Sequence, residues 1–176
     1  MEYNYDVLIP KDRIAVLVGE KGKVKNLIQK KLDIKIRINS ETGEVNLTGE
    51  DSLYLIIAQN MVKAIGRGFN PDIALDLLND EINFELIDIT EYSKTKNNID
   101  RLRARVIGTG GKARKYIETL TNTKIVIYGK TIGIIGDHEG VSLARRGFEG
   151  LLSGQRHSTV YSFLEKQRKK NSALLY

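Results

Sequence analysis

The chain has 176 residues, 41% of them apolar and 28% charged, with 2 Pro and no Cys. Apolar side chains spread along its whole length exclude a disordered chain. No apolar run nears the ~20 residues that span a bilayer, and the lack of Cys excludes disulfides and zinc–thiolate sites. Net charge is +6 but unevenly placed: residues 1–80 carry 11 Lys and Arg against 12 Asp and Glu (net −1), and residues 81–176 carry 17 against 10 (net +7). A polyanionic partner therefore suits the second half.

The opening Met1–Asp6 is polar, without the basic start and apolar middle of a secretory signal, so the expected location is the cytoplasm. Tyr5–Ile9 is a short β-rich run ended by Pro10. Lys11–Val18 reads as a helix stopped at Gly19, and a second helix restarts after Gly22 as Lys23–Lys31, with Val24, Leu27, Ile28 and Leu32 on one apolar face. The strand Ile34–Ile38 alternates Ile with Lys and Arg. Ser40–Glu44 is a hairpin turn, and Val45–Thr48 is the partner strand. In the run Leu53–Gly68, a helical stripe is expected of Ile56, Ile57, Asn60, Met61, Ala64 and Ile65.

Asn70-Pro71-Asp72 looks like a helix start, which predicts a helical linker over 70–81 through which two units dock. Phe84–Ile89 opens a second series. It runs through a longer polar stretch, Thr90–Asn98, to a closing run Val141–Gly154. One more helix follows, roughly His157–Lys170, with Val160, Phe163, Leu164 and Gln167 on one side. The expected division is 1–69, a linker at 70–81, a second domain at 82–155, and a C-terminal helix and tail at 156–176.

The second series repeats the first. Val18-Gly19-Glu20-Lys21-Gly22-Lys23 and Ile107-Gly108-Thr109-Gly110-Gly111-Lys112 share the pattern apolar-Gly-x-x-Gly-Lys at an offset of 89. The same offset carries Lys35-Ile36-Arg37-Ile38 onto Lys124-Ile125-Val126-Ile127. After a turn two residues shorter, Val45–Gly49 falls on Ile132–Gly136. Each copy therefore reads β-α-α-β-β-α. The fold class is α+β, built from a duplicated unit.

Two glycines that stop one helix and start another tolerate unusual backbone angles, and amides at the start of the second helix favour an anion. Lys23 and Lys112 add a full charge at that place, so a phosphate fits; a tight αα-turn with glycines chosen for geometry alone is the plainer reading. Lys112, Arg114 and Lys115, with Arg101, Arg103 and Arg105 before the loop, are the further candidates for phosphate contact. A P-loop is rejected, because Leu17 and Val106 stand where its first Gly belongs and Val24 and Ala113 where its Ser or Thr belongs. Gly108-Thr109-Gly110-Gly111-Lys112-Ala113 also matches a dinucleotide fingerprint. The first copy lacks the middle Gly, however, no acid follows the next strand, and Arg101–Val106 is too basic for a buried parallel strand. His138 and His157 have no metal-ligand spacing. His138 follows Asp137 at a helix start, where Asp137 is the expected cap, and His157 beside Arg156 suits an RNA or partner contact or is simply exposed. No paired carboxylates can be placed across a cleft, so no catalysis and no cofactor are expected. Tyr116 and Tyr128 could stack on bases or simply pack.

With this element order, Ile107–Lys112 resembles the loop of a KH domain of the eukaryotic (type I) topology, and Val18–Lys23 resembles a second. The resemblance implies that Gly19, Glu20, Lys21, Gly22 and Lys23, and Gly108, Thr109, Gly110, Gly111 and Lys112, clamp the backbone of about four single-stranded nucleotides. Ile36, Ile38, Ile125 and Ile127 would form the groove floor, or else belong to the core. With Ser153–Tyr161 added, nearly the whole chain resembles the partner-of-NOB family of KH ribosome-assembly factors. That resemblance implies binding near the 3′ end of small-subunit rRNA, partnership with the endonuclease that matures that end, and contacts with other assembly or translation factors. Eukaryotic members tend to have a degenerate first loop; the intact glycines here, with the short length, resemble an archaeal form. Glu20 still puts a carboxylate where a phosphate would lie. The other reading is a protein-interaction scaffold with weakened RNA affinity.

Overall fold

Alternation of apolar and polar residues builds each unit from a three-stranded sheet with one face toward helices. The computed structural model describes residues 1–175, so Tyr176, the last residue of the expected tail, lies outside the described residues. The chain divides into Met1–Asp80 and Glu81–Tyr176.

In the first unit, β1 (Tyr3–Leu8) leads through a 3-10 turn (Lys11–Arg13) to α1 (Ile14–Val18). The Gly-x-x-Gly loop and α2 (Lys23–Leu32) follow, then β2 (Lys35–Ile38), β3 (Glu44–Gly49) and α3 (Ser52–Gly66). The sheet order is β1-β3-β2, antiparallel throughout, with Tyr5 opposite Leu47 and Ile36 opposite Leu47. This is the β-α-α-β-β-α order expected. Val7, Ile36, Val45 and Leu47 turn to the helices and are buried, while Asn4, Asp6, Lys35 and Arg37 face away.

Two expectations are corrected here. The buried stripe of α3 is Leu55, Ala58, Met61, Val62, Ala64 and Ile65, so the expected Met61, Ala64 and Ile65 are inside, Ile57 and Asn60 are half-buried, and Ile56 is 45% exposed. Almost every position of Leu53–Ile57 is apolar, so periodicity alone could not choose the face. Ile36 and Ile125, offered as groove floor, are each only 2% exposed and belong to the core; Ile38 and Ile127, two residues further on, are only half-buried.

The segment after α3 forms α4 (Pro71–Ala74) and a 3-10 turn (Leu75–Leu78), started by Asn70, whose side chain accepts from the Asp72 amide at 2.9 Å. Both pieces lie against α3, with Ala74 and Leu77 buried, and so form part of the first unit.

The second unit contains β4 (Ile82–Asp88), α5 (Lys96–Ile107), its loop, α6 (Lys112–Thr121), β5 (Lys124–Tyr128), β6 (Thr131–Asp137), α7 (His138–Leu152) and α8 (His157–Ala173). Its sheet order, β4-β6-β5, is again wholly antiparallel. Neither unit has the parallel sheet that a dinucleotide fold requires, so that reading falls. Arg145 on α7 joins Glu85 on β4 at 2.8 Å, tying helix to sheet.

The second unit differs most in α8. This helix crosses α7 at two glycines that leave room for it. A Cβ on Gly147 would lie 3.1 Å from Leu164 Cδ1, and one on Gly150 would lie 3.2 Å from Val160 Cγ2. Val160 and Leu164 are buried in the second unit's core, and the Arg146 guanidinium covers the Phe163 ring at 4.4 Å. The C-terminal helix is thus part of the core. Leu164→Ala should cost about 2–5 kcal/mol, the usual range for a fully buried leucine. Urea denaturation of the second unit, with hydrogen exchange across α8, checks this.

Candidate nucleic-acid interface

Both Gly-x-x-Gly loops have the same backbone. Gly19 has φ 74° and ψ 174°, and Gly108 has φ 75° and ψ 170°. A Cβ there would lie 2.9 Å from the Val24 amide nitrogen or 2.7 Å from that of Ala113. The first glycine therefore lets the chain pass against the opening turn of the second helix, which no larger residue allows. At the third loop position the copies diverge. Gly110 has φ 62°, and a Cβ added to it would meet nothing within 4 Å; Lys21 takes the same left-handed conformation at φ 53°. That position admits a side chain, and its only demand is the backbone angle.

The helix starts differ in a way that bears on anions. Asp51 caps α3 (2.8 Å to the Leu53 amide), Asp137 caps α7 (2.6 Å to the Gly140 amide) and Thr95 caps α5 (3.4 Å to the Asn98 amide). No side chain caps α2 or α6, whose N-caps are Gly22 and Gly111 in the left-handed conformation. The amides of Lys23 and Lys112 bond back to the carbonyls of Glu20 and Thr109, and the positive end of each helix dipole has no acidic cap, a lack that α1 and α8 share. Lys23 and Lys112 are exposed beside the starts of α2 and α6, as is Lys115. Glu20, in the first loop, is exposed at the same place.

The arginines before and after the second loop are placed less freely than their sequence suggests. Arg105 Nε donates to the Leu151 carbonyl at 3.0 Å, and its Nη2 donates to that of Gln155. Two of its donors thus close the end of α7, a structural use that the sequence did not suggest. The first unit uses Arg13 in the same way, on the carbonyls of Ile65 (2.8 Å) and Phe69 (2.9 Å), again four residues apart. Arg114 pairs with Glu118 at 2.9 Å and donates to the Ile125 carbonyl at 3.3 Å, on the edge strand. Arg103 is half-buried, with its Nε sealed from solvent and unpaired. Lys112 and Lys115 are exposed on the loop side of α6, and Arg101, also exposed, lines the cavity beside the loop.

One matched pair was missed in the sequence. Gln29 and Glu118, 89 residues apart, each accept from the amide of the isoleucine seven residues on, Ile36 or Ile125, at 2.8 Å. These bonds pin the second helix of each unit to its edge strand. His157 also proves positional: its Nε2 lies 3.0 Å from the Arg105 carbonyl oxygen. Asp137 caps α7, as the sequence suggested for the start beside His138. Among the described residues no group of three His, Asp or Glu could hold a metal, and no helix is long and apolar enough to cross a membrane.

Residues 83–169 match the model for the second KH domain of PNO1, a eukaryotic-type (type I) KH domain. The chain is 48% identical over 166 residues to the KH domain-containing protein MJ0443 of Methanocaldococcus jannaschii, covering 92% of this chain and 73% of that one. It is 30% identical to the RNA-binding protein pno1 of Dictyostelium discoideum, covering 90% of this chain and 69% of the relative. The chain belongs to the PNO1 family of KH-domain proteins. A chain in the crystal structure of the a/eIF2alpha–aDim2p–rRNA complex from Pyrococcus horikoshii OT3 superposes with a TM-score of 0.88 at 41% identity, covering 96% of both chains. Within this PNO1-type frame, the Arg105 geometry yields a direct expectation. Arg105→Ala should lower stability by about 2 kcal/mol, the scale of hydrogen bonds from a charged donor. RNA affinity per folded molecule should stay unchanged. Denaturation and binding, measured on the same samples, separate the two effects.

Proposed function

We propose that the chain is a non-catalytic ribosome-assembly factor of the cytoplasm. It holds single-stranded RNA near the 3′ end of small-subunit rRNA and helps position the endonuclease that matures that end. The observation that carries this reading is the second loop. It combines an uncapped helix start, two exposed lysines and no acid within Gly108–Lys112. A phosphate placed there meets backbone amides and Lys112 together. The proposed contact set is Gly108, Thr109, Gly110, Gly111, Lys112 and Lys115, with Arg103 and Arg114 flanking it. The first loop, Gly19, Glu20, Lys21, Gly22 and Lys23, has the same geometry but carries Glu20 and is the weaker site. The rRNA in the related Pyrococcus complex and the family of the chain support RNA as the ligand. The endonuclease rests on the family resemblance.

A protein-contact role suits the first unit. Leu53 (59% exposed) and Ile56 (45%) lie along one face of α3, and residues 1–80 have a net charge of −1.

Replacing Thr109 and Gly110 by Asp tests the reading. The open space at Gly110, and the tolerance that Lys21 shows at the equivalent position, let the variant fold. Binding of single-stranded RNA, read by fluorescence anisotropy, should weaken by about 2 kcal/mol or more, which is roughly thirtyfold. Glu20→Asp with Lys21→Asp should cost less. Undiminished binding by the second-loop variant would refute the assignment.

Salt offers an independent check. Each phosphate contact should add roughly −0.7 to the slope of log affinity against log salt, and Lys112→Ala should reduce the slope by about that amount. A flat salt response would place these lysines away from phosphate. For the target itself, crosslinking in cells should enrich the 3′ region of small-subunit rRNA. Reads spread evenly over messenger RNA would defeat the rRNA assignment.

A further inference from the structure

Helix α6 has two flanks. Arg114 and Glu118 face the edge strand β5, on the side where the KH resemblance places the bases. Lys112, Tyr116 and Thr119 face α8 instead, and a furrow runs there that the loop reading leaves unused. It begins as a cavity of about 640 Å³ beside the Gly-x-x-Gly loop, where Gly108, Thr109 and Lys112 meet His157 and Tyr161. It continues as a cavity of about 430 Å³ lined by Lys112, Lys115, Tyr116, Thr119 and Tyr161. It ends in one of about 490 Å³ that reaches Arg168 and Lys169. The three lie in turn along α6, with Lys112 and Tyr161 lining the first two and Tyr116 and Thr119 the last two. Along it the Tyr116 and Tyr161 rings meet edge to face, 4.6 Å between centroids, and the His157 ring follows at 5.9 Å.

We propose that this furrow is a second seat for single-stranded RNA, taking nucleotides of the strand beyond those held at the second loop. The inference rests on that loop's binding RNA. Three features favour this occupant. The furrow opens on the loop residues themselves, so a strand clamped there needs no detour. Tyr116 is 37% exposed and offers a ring on which a base of any identity can stack. Lys112, Lys115, Arg168 and Lys169 line the path against one carboxylate, Glu165, which accepts the Tyr116 hydroxyl. That hydrogen bond is the main cause that raises the Tyr116 phenol above its ordinary pKa. In the first unit the residue 89 positions before Tyr116 is Leu27, and α3 is followed by the short α4 rather than by a counterpart of α8. The furrow is a property of the second unit.

The test uses the full chain and two RNA probes, oligouridylates of four and of eight nucleotides, with affinities corrected for the number of binding registers. The eight-mer should bind about tenfold more tightly than the four-mer, within the range for one base on one aromatic ring. Tyr116→Leu, which keeps a side chain that the first unit already uses, should remove that advantage and leave four-mer binding unchanged; Tyr116→Phe should retain it. Arg168→Glu with Lys169→Glu, both exposed and away from the core, should weaken the eight-mer alone. Equal affinities for the two probes would overturn the proposal, as would eight-mer affinity unchanged by Tyr116→Leu and by the Arg168/Lys169 variant. The Thr109→Asp/Gly110→Asp variant tests the underlying reading separately. If it keeps four-mer binding, the loop assignment fails, whatever the eight-mer shows.

Discussion

The close passage of backbone over backbone at Gly19 and Gly108 is the constraint on which each unit depends. The chain must leave one helix and enter the next within four residues, and it does so by laying the first glycine almost on the amide of Val24 or Ala113. A side chain at that point would push the second helix away. The helix would then lose its hold on the edge strand through Gln29 or Glu118. The same geometry leaves the helix start without a side-chain cap, and the proposed phosphate contact rests on that feature.

From that shared frame the units diverge through side chains and one added helix. The first loop tolerates Glu20 and puts Lys21 in a left-handed conformation; the second has Thr109 and Gly110 there. Both units fasten the closing helix with an arginine from the region before the loop, yet Arg13 and Arg105 are 92 positions apart rather than 89. The same carbonyl pair is reached from positions about one helical turn apart. That is an equivalence of role without equivalence of position. Helix α8 then covers α7 and α6 in the second unit and converts α6 into one wall of a furrow.

Much of this was legible in the amino-acid order, for a physical reason. Loop glycines, helix starts and strand alternation are local: each is dictated by residues within a few positions, and duplication at an offset of 89 let one copy check the other. The element order, the positions of both loops, the capping by Asp137 and the helix near His157–Lys170 all belong to this class. Where local pattern was degenerate, as along the apolar start of α3, the face could not be chosen, and Leu55 rather than Ile56 proved to be inside.

What only the tertiary structure decided is how each charge and ring is used. Arg105 looks like Arg101 and Arg103 in the sequence, but the carbonyls that claim it lie 46 and 50 residues away. Ile36 and Ile125 alternate as groove residues would, and become core because helices cover that face of the sheet. Tyr116 and Tyr161 are 45 positions apart and form a pair only because Gly147 and Gly150 let α8 come close enough to α7 to lie beside α6. The sequence by itself determined the duplicated fold and its two loops, because those follow from nearest neighbours. The use of the cations and aromatics waited on the structure, because hydrogen bonds and packing join residues that the chain order keeps far apart.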